Sequence, residues 1–158
     1  MGSSPIPGTF MITKLHFSVN VAAPLEKVFE FGSNLDNLPK VQPGYVKILK
    51  GKGSHKKNSS FLILFWQGFI PTLWGGIISE YEKNRFFTDI QTFGPFKSWK
   101  HTHSFKSIPG GTQIDDDVEY ELWGGKIGEW INQKYMKKLL KKMYRGRQEK
   151  ALQHLASL

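Results

Sequence analysis

The chain has 158 residues, of which 39% are apolar and 14% aromatic, and it carries a net charge of +9 with no cysteine. That length suits one domain with a substantial core, and the lack of cysteine excludes disulfides, thiolate nucleophiles and zinc–thiolate centres, as suits the cytoplasm. No apolar run approaches the roughly 18 residues that a membrane-spanning helix needs.

The positive charge concentrates in KGKGSHKKN and in KYMKKLLKKMYRGRQEK. Both read as solvated surface, the first as a hairpin tip and the second as the outside of a helix. Specific nucleic-acid binding is not expected, because the rings that would stack on bases have inward parity. A weak contact with anionic membranes is the partner this charge allows. The opening MGSSPIPGTF lacks the basic start and apolar core of a signal peptide and is set aside, as residues 1–10, as a leader or cloning-derived segment.

Residues 12–21, ITKLHFSVNV, alternate as a strand, with Leu15, Phe17, Val19 and Val21 on one face. The period changes at Ala22-Ala23-Pro24. Pro24 suits a first helical turn, and Leu25, Val28, Phe29 and Phe31 follow at helical spacing up to Gly32. SNLDNLPKV predicts a second helix of one turn, ended near Pro39. After Pro43-Gly44, strands are predicted at 45–51, 60–67, 72–83, 85–93, 98–108 and 111–123. Turn residues separate them, including GFIP, Lys83-Asn84 and Pro109-Gly110. Strands this close in sequence pair antiparallel. Beyond Gly124-Gly125 the spacing predicts a helix from Lys126 to Leu155, ~45 Å long. Its apolar stripe, Ile127, Trp130, Ile131, Tyr135, Leu139, Met143, Leu152 and Leu155, is expected to face the sheet.

The expectation is one α+β domain over residues 11–158. A curved seven-stranded antiparallel sheet wraps a long C-terminal helix, with two short helices after the first strand. Such a grip encloses a cavity, and the surplus rings, twelve Phe, five Trp and five Tyr, would line it. The segment QGFIPTLWGG, carrying Phe69, Ile70, Leu73 and Trp74, reads either as a plug packing on the long helix or as a gate.

The element order, together with VNVAAPLEKVFEF, FFTDIQTFGPFKSWKHTHSF and GGTQIDDDVEYELWGG, resembles the START and birch-pollen-allergen-like (SRPBCC) superfamily over residues 12–157. The middle motif resembles its cyclase/dehydrase-like, ligand-binding subgroup. The resemblance implies the helix-grip fold and an internal cavity for a small hydrophobic or amphipathic molecule, such as a lipid, a polyketide or an aromatic compound. It also covers polyketide cyclases, lipid carriers and hormone receptors.

SWKHTHSF places Trp99, His101, His103 and Phe105 on one face of a strand. A hairpin about Pro109-Gly110 sets His103 opposite Asp116, His101 opposite Val118 and Trp99 opposite Tyr120. Asp89 falls opposite one of the two histidines. Ser98 and Ser104 face the other way, which excludes a Ser–His–Asp set. The expected cavity wall comprises Trp74, Phe87, Asp89, Gln91, Trp99, His101, His103, Phe105, Asp116, Val118, Tyr120 and Trp130. His103, Asp116 and Asp89 are the candidates for acid–base chemistry. A His-x-His pair beside aspartates has the donors for a borderline metal, but imidazoles opposite carboxylates read as hydrogen-bond partners, so no metal or cofactor is expected. The reading is a binding protein, monomer or dimer, for a small hydrophobic ligand. The alternatives are a cyclase/dehydratase-type enzyme using the His/Asp pair, and a basic protein docking on anionic lipid or nucleic acid.

Overall fold

A computed structural model describes residues 11–67 and 69–157; the segment 1–10 set aside above lies outside them. The strands are β1 (Thr13–Val21), β2 (Val46–Lys50), β3 (Ser60–Gln67), β4 (Ile70–Glu82), β5 (Phe86–Phe93), β6 (Ser98–Ile108) and β7 (Gly111–Glu121). Helices α1 (Leu25–Ser33) and α2 (Leu38–Val41), joined by a 3-10 turn, fill the connection from β1 to β2. The C-terminal helix runs as α3 (Gly125–Ile131), a π-helical turn (Asn132–Met136) and α4 (Lys137–Leu155). The seven strands form one antiparallel sheet in the order β1-β7-β6-β5-β4-β3-β2. This is the expected helix-grip architecture.

The register of the last hairpin follows the alternation of apolar residues. Phe105 pairs with Ile114, His103 with Asp116, His101 with Val118 and Trp99 with Tyr120. A slip by one residue would turn every one of these side chains to the other face. The inner face carries two apolar clusters. One, under α1, includes Val28, Phe29, Phe61, Ile78, Phe87, Phe105 and Leu155. The other, under the first half of the C-terminal helix, joins Leu15, Phe96, Trp99, Val118, Tyr120, Leu140 and Tyr144. Trp74 packs against both.

Two expectations are corrected. The face of the C-terminal helix that meets the sheet keeps only Met143 and Leu155 of the predicted stripe: Ile127, Trp130, Ile131, Tyr135, Leu139 and Leu152 are exposed, while Gly128, Asn132, Leu140 and Tyr144 are buried. Backbone proximity and a polar tether set this rotation. A Cβ on Gly128 would lie 2.1 Å from the carbonyl oxygen of Trp123, so only glycine lets α3 approach the end of β7. One turn on, the Tyr120 hydroxyl donates to Asn132 Oδ1 at 2.5 Å, and Asn132 Nδ2 donates to Thr13 Oγ1 at 2.7 Å. The wider π turn that begins at Asn132 keeps residues spaced by four on the buried side.

The second correction concerns KGKGSHKKN. Gly51 and Gly53, at φ of +89° and +95°, turn the chain back onto α1. There the His55 N–H donates to the Ser33 carbonyl at 2.7 Å, and Ser54 bridges to Asn34. Lys52, Lys56 and Lys57 stay solvated, but His55 is buried. The β3–β4 turn is also not a plug, because Phe69 and Ile70 point into solvent and only Trp74 turns inward, against Phe96 and Trp99.

Replacing Asn132 by leucine removes the acceptor of the buried Tyr120 hydroxyl and its link to Thr13. Asn132→Leu is expected to destabilise by about 1–3 kcal/mol in chemical denaturation. Gln133→Leu, one residue along on the exposed face, should leave the midpoint unmoved.

Candidate functional site

Between the concave face of the sheet and the helices lies a cavity of about 290 Å³, close to the lower bound for small-molecule pockets. Most of its wall is apolar, from Val28, Phe61, Ile63, Phe65 and Leu140 among others. The predicted residues Trp74, Phe87, Asp89, Trp99, His101, His103, Phe105 and Asp116 all line it. Gln91, Val118, Tyr120 and Trp130 do not, for separate reasons. The Gln91 amide is turned to the β5–β6 connection, where it donates to the Phe96 carbonyl and accepts from the Phe96 N–H. Val118 and Tyr120 are sealed in the second apolar cluster. Trp130 sits on the outer face of the helix.

Three adjacent strands build the polar part of the wall. In register, His101 stands opposite Asp89 and His103 opposite Asp116, but the side chains also bond diagonally. His103 reaches Asp116 Oδ1 with Nδ1 at 3.0 Å and Asp89 Oδ2 with Nε2 at 3.2 Å. An imidazole that faces a carboxylate through each nitrogen donates twice and is therefore an imidazolium. His101 directs Nε2–H at Asp116 Oδ1, 2.8 Å away, which leaves its Nδ1 lone pair to accept the Tyr144 hydroxyl at 3.2 Å. Phe87 stacks on His103 with ring centroids 4.3 Å apart, and Trp99 stands edge-on to His101.

The titration of the cluster follows from this geometry. Burial alone would lower His103, but hydrogen bonds to Asp116 and Asp89 outweigh it and hold the group at about 9. Burial and the neighbouring His103 charge lower His101, so it stays neutral. Burial would raise both carboxylates, yet bonds and charge from the histidines hold Asp116 and Asp89 below the ordinary range. Burial also pushes the Tyr144 hydroxyl upward, which keeps it a donor. Two carboxylates against one imidazolium leave one net negative charge. His55, also on the cavity wall, is lowered to about 4 by burial and carries no charge at neutral pH.

Asp89, His101 and His103 place three donor atoms within 4.8 Å of one another, the number a divalent cation uses in a catalytic site. As they stand, His103 has both nitrogens protonated. The two imidazoles lie with centroids 3.7 Å apart and planes tilted by 39°, and each already spends a nitrogen on a carboxylate. What the arrangement can do chemically is hold a proton at His103 beside an apolar cavity.

The opposite wall was not foreseen from sequence. It comes from α2 and α4: Gln42, Tyr144, Arg147 and Gln148. Arg147 Nε donates to Gln42 Oε1, and its guanidinium lies over the Tyr144 ring at 5.2 Å. Gln148 Nε2 is buried without a hydrogen-bond partner among the described residues. The four-residue spacing Leu140, Tyr144, Gln148 was the signal that could have found this face.

With the geometry in hand, comparison with known proteins finds neighbours only at the level of structure. No family model and no curated protein sequence matches the chain. Among solved structures, the Zhui aromatase/cyclase from Streptomyces sp. R1128 is similar with a TM-score of 0.75 at 12% identity, covering 92% of this chain and 94% of that one. A START superfamily protein from Mycobacterium smegmatis gives 0.67 at 16% identity, over 91% and 97%. Ara h 8.0201 gives 0.69 at 12% identity, over 94% and 100%. The chain therefore has a helix-grip fold of the START/SRPBCC kind. Among the described residues, no helix is long and apolar enough to cross a membrane.

The two unusual histidines set opposite pH limits on stability. His103, raised from 6.5 to about 9, contributes stability that is complete below pH 6.5 and is lost as pH rises through about 9. His55, lowered from 6.5 to about 4, contributes stability that is complete above pH 6.5 and is lost as pH falls through about 4. The denaturation midpoint should peak near the common value and fall on both sides. Proton NMR of the imidazole resonances should assign the alkaline step to His103 and the acid step to His55 and His101, both lowered chiefly by burial.

His103→Ala removes the one cation between two buried carboxylates and should destabilise by about 3 kcal/mol or more at neutral pH. Combined with Asp116→Asn, the loss should be smaller than the sum of the two single effects. Strict additivity in that cycle would mean the side chains do not interact.

Proposed function

We propose that the protein binds one small apolar or amphipathic molecule in the cavity between sheet and helix, in the cytoplasm that a cysteine-free chain suits. One observation carries this reading: the cavity is walled by rings and aliphatic side chains, and its one buried unpartnered polar atom among the described residues is a donor, Gln148 Nε2. An unpaired donor in such a wall costs free energy unless something accepts from it. A ligand with an acceptor such as a carbonyl, placed on an aromatic or aliphatic body, meets that need. The histidine cluster, by contrast, satisfies itself through His103, Asp89, Asp116 and Tyr144. It shapes and polarises the cavity without waiting for a ligand.

A second reading is favoured by the imidazolium of His103 on the cavity wall. There it could deliver a proton to an enolate or hydroxyl of a bound polyketide-like substrate, with Asp89 and Asp116 holding its orientation. The likeness to an aromatase/cyclase is in fold and adds no residue-level support.

Native mass spectrometry of gently purified protein is expected to show one bound small molecule per chain. A paired titration tests the polar contact. 2-Acetylnaphthalene should bind about five-fold tighter than 2-ethylnaphthalene, which lacks the carbonyl, and Gln148→Leu should erase the difference. Equal affinities for the native protein would remove Gln148 from the ligand site. Turnover of a polyketide-like substrate that is abolished by His103→Gln would put the enzyme reading first.

A further inference from the structure

We infer that the end of the molecule where α3 begins docks on the surface of an anionic lipid bilayer. The antiparallel pairing places the start of β1, β2, β4 and β6 and the finish of β3, β5 and β7 at that end. Among the described residues, all but three of the exposed large apolar side chains gather there or, as Tyr135 against Trp130, beside it; Leu49, Leu139 and Leu152 are the others. Tyr45, Trp66, Phe69, Ile70 and Phe93 come from strand ends and the β3–β4 turn. Phe69, at its tip, is 99% exposed. Trp123, Ile127, Trp130 and Ile131 come from the entry to α3 and its outer face. Scattered exposed apolar residues need no explanation, but a gathering of rings at one end of a monomer does.

The charge beside this end identifies what covers it. The outer face of the helix continues past Ile131 as Lys134, Lys138, Lys141, Lys142 and Arg145, all exposed. Lys134 Nζ lies 4.8 Å from the Trp130 ring centroid and 5.5 Å from that of Tyr135, so the basic row starts on the aromatic cluster itself. Tryptophan and tyrosine settle at the headgroup level of a bilayer, and lysine stems snorkel toward phosphates. A basic row alongside buried rings is the pattern of an interfacial helix. A second copy of the chain fits poorly, since covering one such face with another would bring the two lysine rows together in low dielectric. The cavity reaches the same end at Thr72, Pro95 and Phe96, although the docking inference does not depend on what the cavity holds.

Flotation with vesicles tests the inference on the whole chain. The native protein should float with phosphatidylcholine vesicles containing about a third phosphatidylglycerol, at about 0.02 M salt, and be released at about 0.5 M. It should float at least ~10-fold less with phosphatidylcholine alone. Lys138→Glu with Lys142→Glu should weaken anionic binding by at least about 25-fold, since losing each positive charge costs about five-fold and the new carboxylates add repulsion. Ile127→Glu with Trp130→Glu should abolish it while leaving the melting point unchanged, because both side chains already lie in solvent. Three results would overturn the proposal. One is flotation of the Ile127/Trp130 variant equal to that of the native protein. Another is a stable dimer in sedimentation whose formation the same pair of substitutions blocks. The third is binding to DNA that competes fully with vesicles and survives the Ile127→Glu and Trp130→Glu substitutions.

Discussion

Two carboxylates sit ionised inside this protein, and the positive charge of His103 between them makes the arrangement tenable. A buried aspartate without a partner would take up a proton or unfold the site. Here Asp89 and Asp116 share one imidazolium, and His101 completes the ring by giving its Nε2–H to Asp116 and its Nδ1 lone pair to Tyr144. Tyr144 is on α4, whereas the other four groups are on β5, β6 and β7. The cluster therefore fixes three strands in register and holds the long helix at a set height above them. The cavity exists because of that height.

The C-terminal helix does two opposed jobs with its two faces. Toward the sheet it presents glycine, asparagine and tyrosine as well as leucine, so its docking depends on close backbone approach and specific hydrogen bonds as much as on apolar area. Toward solvent its first turns present isoleucine and tryptophan. In an isolated protein this inverts the usual amphipathic order. Docking on an anionic bilayer, as proposed above, would leave both faces covered by the environment they suit.

How legible this was from the residues differs between strands and helix. In β6 and β7 the side-chain period is two, and an apolar residue on one face fixes where every neighbour points. So the pairing of His103 with Asp116 follows from the Pro109-Gly110 turn and the apolar Phe105, Ile114 and Val118, and the inward aim of Asp89 from Phe87 and Phe93 on its own strand. The helix has no such parity. Its apolar residues were assigned to the sheet by hydrophobicity, but Gly128 and Asn132, which actually determine the rotation, count as neutral or polar in any such ranking. Trp130 was placed in the cavity for that reason. His55 fails differently, since it lies in an irregular segment whose path is set by two glycines and by bonds to Ser33 and Asn34, none of which has a period. Gln91 has the right parity but spends its amide on the Phe96 backbone, a local choice that alternation does not reveal.

The sheet has its first strand next to its last: Thr13 pairs with Tyr120 and Val21 with Thr112. During synthesis, β1 must wait for about a hundred further residues before its partner β7 exists. At ordinary elongation rates that interval is on the order of ten seconds. Over that time β2 to β6 can pair with their sequence neighbours, while β1, with Leu15, Phe17 and Val19, remains an open edge. The nascent chain is therefore most vulnerable to misassociation at its N-terminal strand, and it is relieved of that exposure only when β7 arrives. Closure of β1 against β7 and the descent of α4 onto the sheet come after β2 to β6 can pair, so among these elements the cavity is completed late.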